Sequence, residues 1–269
     1  PHPRQSGGPV TDTEPQLLVD RDGSVGVLTL NRPAAHNSLT TALIGELGEA
    51  LVRYRDDPSI QVIVITGAGE RAFCSGMDLR GAPASTVFDD QFGVPPLHLS
   101  RGMELWKPVI AAVNGYALGA GFELALSCDL RYASTNATFA LPEMSIGSMP
   151  GAGGTQRIIR QAPTALAMEL LLTGDRWDAL RIQQAGLLNG VVEPAELLPT
   201  AIETAQRIAR NAPLSLQAVK QAVWRGSHLP LAEALTLERT LFNLIRDTED
   251  RAEGRAAFAE KRPPVFRGR

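Results

Sequence analysis

Asn114-Gly115-Tyr116-Ala117-Leu118-Gly119-Ala120-Gly121-Phe122-Glu123-Leu124-Ala125-Leu126-Ser127-Cys128-Asp129 is the stretch around which the chain is organised. An apolar run over 109–113 enters it as a strand. The small residues Gly115, Gly119, Ala120 and Gly121 then let the backbone turn tightly and approach a neighbour closely. A helix is expected to begin near Ala120. The free N–H groups and positive dipole end of such a helix suit a developing negative charge, and Glu123 falls in its first turn. That is the outline of an oxyanion hole beside a carboxylate. Two other readings compete with it. Residues 109–128 are nearly long enough to cross a bilayer, and Gly115-x-x-x-Gly119 mimics a membrane helix-packing motif, but Asn114, Glu123 and the glycine-rich bend argue against a span. In the plainer reading the stretch is a core strand, a turn and a core helix, and Glu123 is only a helix-start carboxylate.

With 269 residues, 44% of them hydrophobic, the chain can bury a large core in one big domain or one domain with an appendage. A formal net charge of −3 gives no general attraction to nucleic acid or to an anionic membrane, so an anionic ligand has to be held by local groups. The two cysteines, Cys74 and Cys128, form neither a disulfide framework nor a metal-ligand spacing, which fits a reducing compartment. Residues 1–16 are rich in Pro and Gly and have no apolar core of a signal sequence. They are expected to be a flexible tail on a cytoplasmic protein.

Read in order, 17–20 and 25–30 form a hairpin about Arg21-Asp22-Gly23-Ser24, and a helix capped by Thr40 or Thr41 runs to about Asp56. The apolar run at 61–66 has the length of a strand covered on both faces. Phe73-Cys74-Ser75-Gly76-Met77-Asp78-Leu79 is a second place where a glycine lets the backbone approach a ligand, with the Met77 N–H available to point into a site. Residues 80–96 read as a long loop, followed by a helix over 97–106. Short strands at 130–134 and 137–141 follow, then Pro142-Glu143 and the glycine-rich bend Met149-Pro150-Gly151-Ala152-Gly153-Gly154-Thr155-Gln156. The bend matches neither a dinucleotide fingerprint nor a P-loop. From Thr164 helical patterns dominate. These repeated strand-strand-helix units predict an α/β spiral over 17–194, with a helical subdomain over 195–269.

The inventory of side chains excludes much chemistry. With four histidines, no Gly-x-Ser-x-Gly and no His-Glu-x-x-His, neither an elbow-type serine hydrolase nor a zinc enzyme is supported, and no metal site is expected. What remains is carboxylates beside glycine-rich bends. Glu123 and Glu143 each follow small and apolar residues that would bury them, raising a carboxyl toward the range useful for proton transfer. Two such groups facing one pocket can divide into an acid and a base.

Residues 107–123, Pro142-Glu143 and Pro150-Gly151-Ala152-Gly153-Gly154-Thr155-Gln156-Arg157 closely resemble the enoyl-CoA hydratase (crotonase) superfamily. Leu30-Asn31-Arg32-Pro33, residues 72–79 and residues 249–262 resemble further segments of it, so the likeness covers 17–262 in order. The resemblance implies a crotonase-like spiral of ββα units followed by helices that mediate trimers or dimers of trimers. It implies an acyl-CoA substrate whose thioester oxygen sits between the backbone N–H groups of Met77 and Ala120, with no separate cofactor because coenzyme A is part of the substrate. This chain has Ala120 where many members have glycine. The resemblance further implies a water held between Glu123 and Glu143 and near the Gly151 N–H, with Glu123 deprotonating it and Glu143 delivering a proton to the α carbon. Contacts to coenzyme A are implied for Arg32, Phe73, Ser75, Asp78 and Leu79, with Phe258 and Lys261 reaching a neighbouring subunit's coenzyme. Isomerases of the family characteristically need only the carboxylate at Glu143, so the pair favours hydration of a trans-2-enoyl-CoA over isomerisation, hydrolysis or decarboxylation. A non-catalytic RNA-binding or scaffolding protein on the same fold is a further alternative, which the dispersed charges do not support.

Overall fold

In the computed structural model, which describes residues 15–80, 99 and 103–269, two sheets are wound from one repeating unit. The larger has six strands in the order β1 (Leu17–Asp22), β2 (Val25–Leu30), β3 (Val62–Gly67), β5 (Val109–Val113), β7 (Leu130–Ser134) and β10 (Gly190–Val192). The smaller runs β4 (Ala72–Cys74), β6 (Tyr116–Leu118), β8 (Thr138–Ala140) and β9 (Trp177–Asp178). The hairpin β1–β2 and the pair β8–β9 are antiparallel, and all other pairings are parallel. Each turn of the spiral lays one strand in the large sheet and the next in the small one, the mixed α/β crotonase-like arrangement expected.

Alternation within β3 shows why the large sheet needs two covers. Ile63 and Ile65 face a core that includes Leu43, Leu47 and Leu51 of helix α1 (Thr41–Asp56). Val62 and Val64 face the opposite way, where they join Leu197, Ala201 and Ala205 of a helix over Leu197–Ala209. All four β3 side chains are inaccessible to solvent, which is why the run reads as continuously apolar. That Leu197–Ala209 helix is therefore a layer of the core. No described helix is long and apolar enough to cross a membrane.

The corners between the sheets are fixed by asparagines. Asn114 Nδ2 donates to the carbonyls of Gly67 and Gly69, and its Oδ1 accepts the Gly67 N–H. Asn37 Nδ2 donates to Ala68 O and Ala72 O, and Asn136 Nδ2 to Glu70 O. Three amides thus reach every carbonyl of the turn 67–72 but that of Arg71, which accepts the Tyr116 N–H.

Helix α2 (Ala120–Ser127) begins where expected. It lies directly on β4, because a β carbon on Gly121 would collide with the Cys74 carbonyl. Its far end is held by Arg131, a buried guanidinium that donates to Ala125 O, Cys128 O, Leu187 O and Gln161 Oε1. The remaining helices among the described residues are α3 (Gly154–Gln161), α4 (Thr164–Thr173), α5 (Ala179–Gln184), α6 (Leu197–Ala209), α7 (Pro213–Gly226), α8 (Leu231–Arg246) and α9 (Glu249–Glu260). Two expectations fare differently. The long loop at 80–96 lies almost wholly outside the described residues. Half of the helix expected over 97–106 lies outside them too, and residues 103–106 are not helical. They lead straight to Lys107, whose ammonium donates to Tyr54 O and Asp57 O at the end of α1, an anchor that favours an extended approach.

Arg131→Met should leave those acceptors buried without their donor and lower stability by about 3 kcal/mol. The check is the urea midpoint of the variant against the parent chain, and an unchanged midpoint would contradict this account of how α2 is held.

Candidate active site

Two main-chain N–H groups come together first. Leu39 bridges to Met77 in parallel fashion, with the Leu39 N–H donating to Gly76 O and the Asp78 N–H donating to Leu39 O. Gly76 and Asp78 thus spend those groups on Leu39, and the N–H of Met77 between them points the other way, toward a cleft that Met77 lines. Ala120, the first residue of α2, has an N–H with no acceptor inside its own helix. Gly76, at φ +101°, brings the two segments together: a β carbon there would stand 3.1 Å from Leu118 O and 3.8 Å from the Ala120 N.

Glu123 enters from the first turn of α2 and is 2% exposed. Its Oε1 accepts the N–H of Ala152 at 2.8 Å and the N–H of Gly154 at 2.7 Å. Two donors on one oxygen favour the ionised form, and Gly154 opens helix α3, whose N-terminal end favours negative charge. The approach leaves no room for a side chain at 154, since a β carbon would lie 2.9 Å from Glu123 Oε1.

Glu143 has a different environment. It opens a 3-10 turn, Glu143–Ile146, and its Oε1 lies over Gly119, 3.0 Å from where a β carbon would be. Its Oε2 is buried with no hydrogen-bond partner among the described residues. Burial pushes its carboxyl above the ordinary glutamate value; its own backbone amide opposes this, and the negative charge of Glu123 adds to it. One acid is thus braced as a carboxylate while its neighbour is driven toward the protonated form, an arrangement able to remove a proton at one point and supply one at another.

Both glutamates, Met77, Ala120 and Gly151 line a single cleft of about 520 Å³. Ser75 and Leu79 line it as well, and Ile44, Ile146 and Met149 give it an apolar wall. Arg32 and Asp78 sit beside it paired to each other, both guanidinium Nη atoms being 3.2 Å from Asp78 Oδ2. The Arg80 main-chain N–H, foremost, and the Arg32 guanidinium hold Asp78 below the usual carboxylate range. The Phe73 ring is completely buried in the core, leaving only its main chain for any ligand. Phe258, 88% exposed, and Lys261, just past α9, are not part of the cleft wall. Cys74 and Cys128 are buried, and desolvation pushes both thiols up to about 12, so neither is a nucleophile at neutral pH. The sequence singled out the bend at 149–156 without showing that its Ala152 and Gly154 amides are the donors to Glu123.

Two N–H groups and two unlike acids around one cleft can hold a developing oxyanion while protons move at neighbouring atoms. The chain belongs to the enoyl-CoA hydratase/isomerase family. The sequence model of that family, described as Enoyl-CoA hydratase/isomerase, matches residues 20–269. The chain is 46% identical over 258 residues to the (E)-benzylidenesuccinyl-CoA hydratase of Thauera aromatica, covering 94% of this chain and 99% of that one. It is 46% identical over 254 residues to the 2,3-dehydroadipyl-CoA hydratase of Escherichia coli, with the same coverage. Among solved structures, an enoyl-CoA hydratase from Bacillus anthracis superposes with a TM-score of 0.89 at 37% identity, over 95% of this chain and 100% of that one.

Glu143 also predicts how this family member's stability varies with pH. The raised carboxyl holds its proton in the folded state at pH values where the unfolded chain has released it, so folding is progressively disfavoured as pH rises from the ordinary glutamate value, about 4.3, through the folded one. Glu143→Gln should therefore match the parent's Tm in acid and exceed it at pH 8. Melting curves of both proteins across that range are the measurement, and a deficit for the variant at alkaline pH would contradict the burial account.

Proposed function

We propose that the protein hydrates a trans-2-enoyl-CoA thioester to the 3-hydroxyacyl-CoA. The observation that carries this reading is the unequal pair, Glu123 held by two N–H donors and Glu143 buried with a bare oxygen and a raised carboxyl. In the reaction Glu123 orients a water near the Gly151 N–H and takes its proton as the oxygen attacks the β carbon. Charge moves to the thioester oxygen, where the N–H groups of Met77 and Ala120 stabilise the enolate; one such donor is worth about 3 to 4 kcal/mol in related chemistry. Glu143 then delivers its proton to the α carbon, and the proton taken by Glu123 restores the pair by exchange through solvent. No electron acceptor or separate cofactor enters this balance; coenzyme A is part of the substrate.

The similarity to two proteins named as acyl-CoA hydratases supports hydration, while their different acyl groups leave the chain's own acyl group open. The apolar wall formed by Ile44, Met77, Leu79, Ile146 and Met149 favours an acyl group with an apolar body. In the same reading the Arg32–Asp78 pair and the main chain from Phe73 to Leu79 border the coenzyme arm.

Helix α8 supports assembly of several copies. It contains no buried residue, and Leu231, Leu235 and Phe242 are exposed along one side of it. Burying such a face is worth about 25 cal/mol per Å², and a second copy of the chain is the occupant that the proposed trimer, or dimer of trimers, supplies. A cytoplasmic location goes with this reading.

Purified protein given crotonyl-CoA and longer enoyl-CoA thioesters should consume the conjugated double bond, followed by its ultraviolet absorbance. Glu123→Gln and Glu143→Gln should each slow this by about 10² to 10⁴-fold. An isomerase would instead keep much of its rate in Glu123→Gln and yield a shifted double bond, which product analysis distinguishes. Absence of turnover at every chain length would end the hydratase reading.

A further inference from the structure

Charged groups reach Glu123 from two other elements. Glu143 shares its cleft from the 3-10 turn, and Arg157 acts on it electrostatically from helix α3, outside the cleft wall, while the other described residues lining the cleft carry no charge. Arg157 stands behind the loop that supplies both donors to Glu123. Its Nη1 donates to Ala152 O at 2.9 Å and lies so close to Gly153 that a β carbon there would collide with it. The same residue's N–H donates to Gly153 O, and Gly153 itself is held at φ +99°. Ala152 is therefore gripped at both ends, its N–H by the carboxylate in front and its carbonyl by the guanidinium behind.

We propose that Arg157 is a positioning residue for the hydration reaction, clamping the 152–154 loop onto Glu123 and supplying the cation that keeps this carboxylate ionised. The two effects act in one direction. A fixed loop keeps the Ala152 and Gly154 N–H groups aimed at Oε1, and the positive charge behind them opposes protonation by the neighbouring acid, Glu143. The attraction is reciprocal: burial lowers the Arg157 pKa while the charge of Glu123 raises it, the guanidinium remaining a cation throughout. This role rests on the hydratase reading for its catalytic consequence, and on the contacts of Arg157 with the 152–154 loop for its effect on Glu123.

Arg157→Gln keeps a donor for Ala152 O and removes the charge; Arg157→Lys keeps the charge and loses the planar fork. With an active parent enzyme, the acid limb of kcat/KM reports the ionisation of the free enzyme's base. Removing the cation makes that base harder to ionise, so the limb should move to higher pH by about one unit in Arg157→Gln. It should stay near the parent position in Arg157→Lys, whose kcat falls because the loop is held less firmly. A role in folding alone would lower Tm in both variants and leave the limb of Arg157→Gln in place, and that result would overturn the proposal. An infrared pH titration of the Glu123 carboxyl, taken as the difference from Glu123→Gln, gives the same answer without turnover. If the parent hydrates no thioester, the hydratase reading fails while this titration still decides whether Arg157 governs Glu123: an upward shift in Arg157→Gln supports the clamp, and an unmoved midpoint refutes it.

Discussion

One oxygen of Glu123, accepting the N–H groups of Ala152 and Gly154 at 2.8 and 2.7 Å, is the contact on which the arrangement of the cleft depends. An ionised carboxylate at 2% exposure is tolerable only if its lost hydration is replaced by fixed donors. Supplying them requires α2 and the start of α3 to meet with almost no clearance. Gly121 against the Cys74 carbonyl sets the height of α2 above β4, and Gly154 lets the donor loop reach the carboxylate. At the other end of α2, Arg131 joins its last carbonyls to Gln161 on α3, so the helix that carries the acid and the helix that receives it are tied at both ends.

The second acid gains its usefulness from the opposite condition. Glu143 lies in the same cleft, but its Oε2 finds no donor among the described residues, and the charge of Glu123 discourages a second negative charge nearby. A pair of carboxyls in matched environments would titrate together and offer no division of labour. Here the fold has given one acid two amides from a neighbouring loop and left one oxygen of the other shielded without a donor among the described residues, and the difference in environment separates an acceptor from a donor of protons. The site violates the rule that buried polar atoms are partnered, and it does so at the atom whose proton the proposed chemistry needs.

Much of this was legible from residue order. The hairpin, the doubly covered β3, α1 with its Thr40 cap and the helices from Thr164 onward lie close to where periodicity and capping residues place them, because those signals are local. The small sheet was less legible. Residues 114–119 read as one turn, whereas Tyr116–Leu118 is a strand; three residues, like the three of β4, are too few to establish a period, and of these short strands β8 falls within an expected one, 137–141. Both glutamates stood out because small and apolar residues precede them. Which amides would face Glu123 was not legible, since Ala152 and Gly154 are about thirty positions away and their direction is set by the turn at Gly153. Arg157 closes the motif that carries the family resemblance, but its role was not legible: its charge looks like any other on a helix until the backward reach of its side chain to Ala152 is seen.

The C-terminal helices follow the same logic at longer range. Asp129, the residue that ends the central stretch, accepts the Val109 N–H that starts β5, the Lys220 ammonium at 2.7 Å and the Trp224 indole N–H at 2.9 Å. Lys220 also donates to Lys107 O, so α7 is fastened to the entry of β5 and to the residue just beyond α2. Helix α8 packs on α7 but buries no residue of its own, and a helix of 16 residues draws little stability from its backbone alone. Its contacts with α7 connect it to the rest of the chain, and Asp129, the Lys107 carbonyl and Glu104 together hold α7 in place. Through Asp129, a surface that covers α8 is linked to the end of the helix whose first turn carries Glu123.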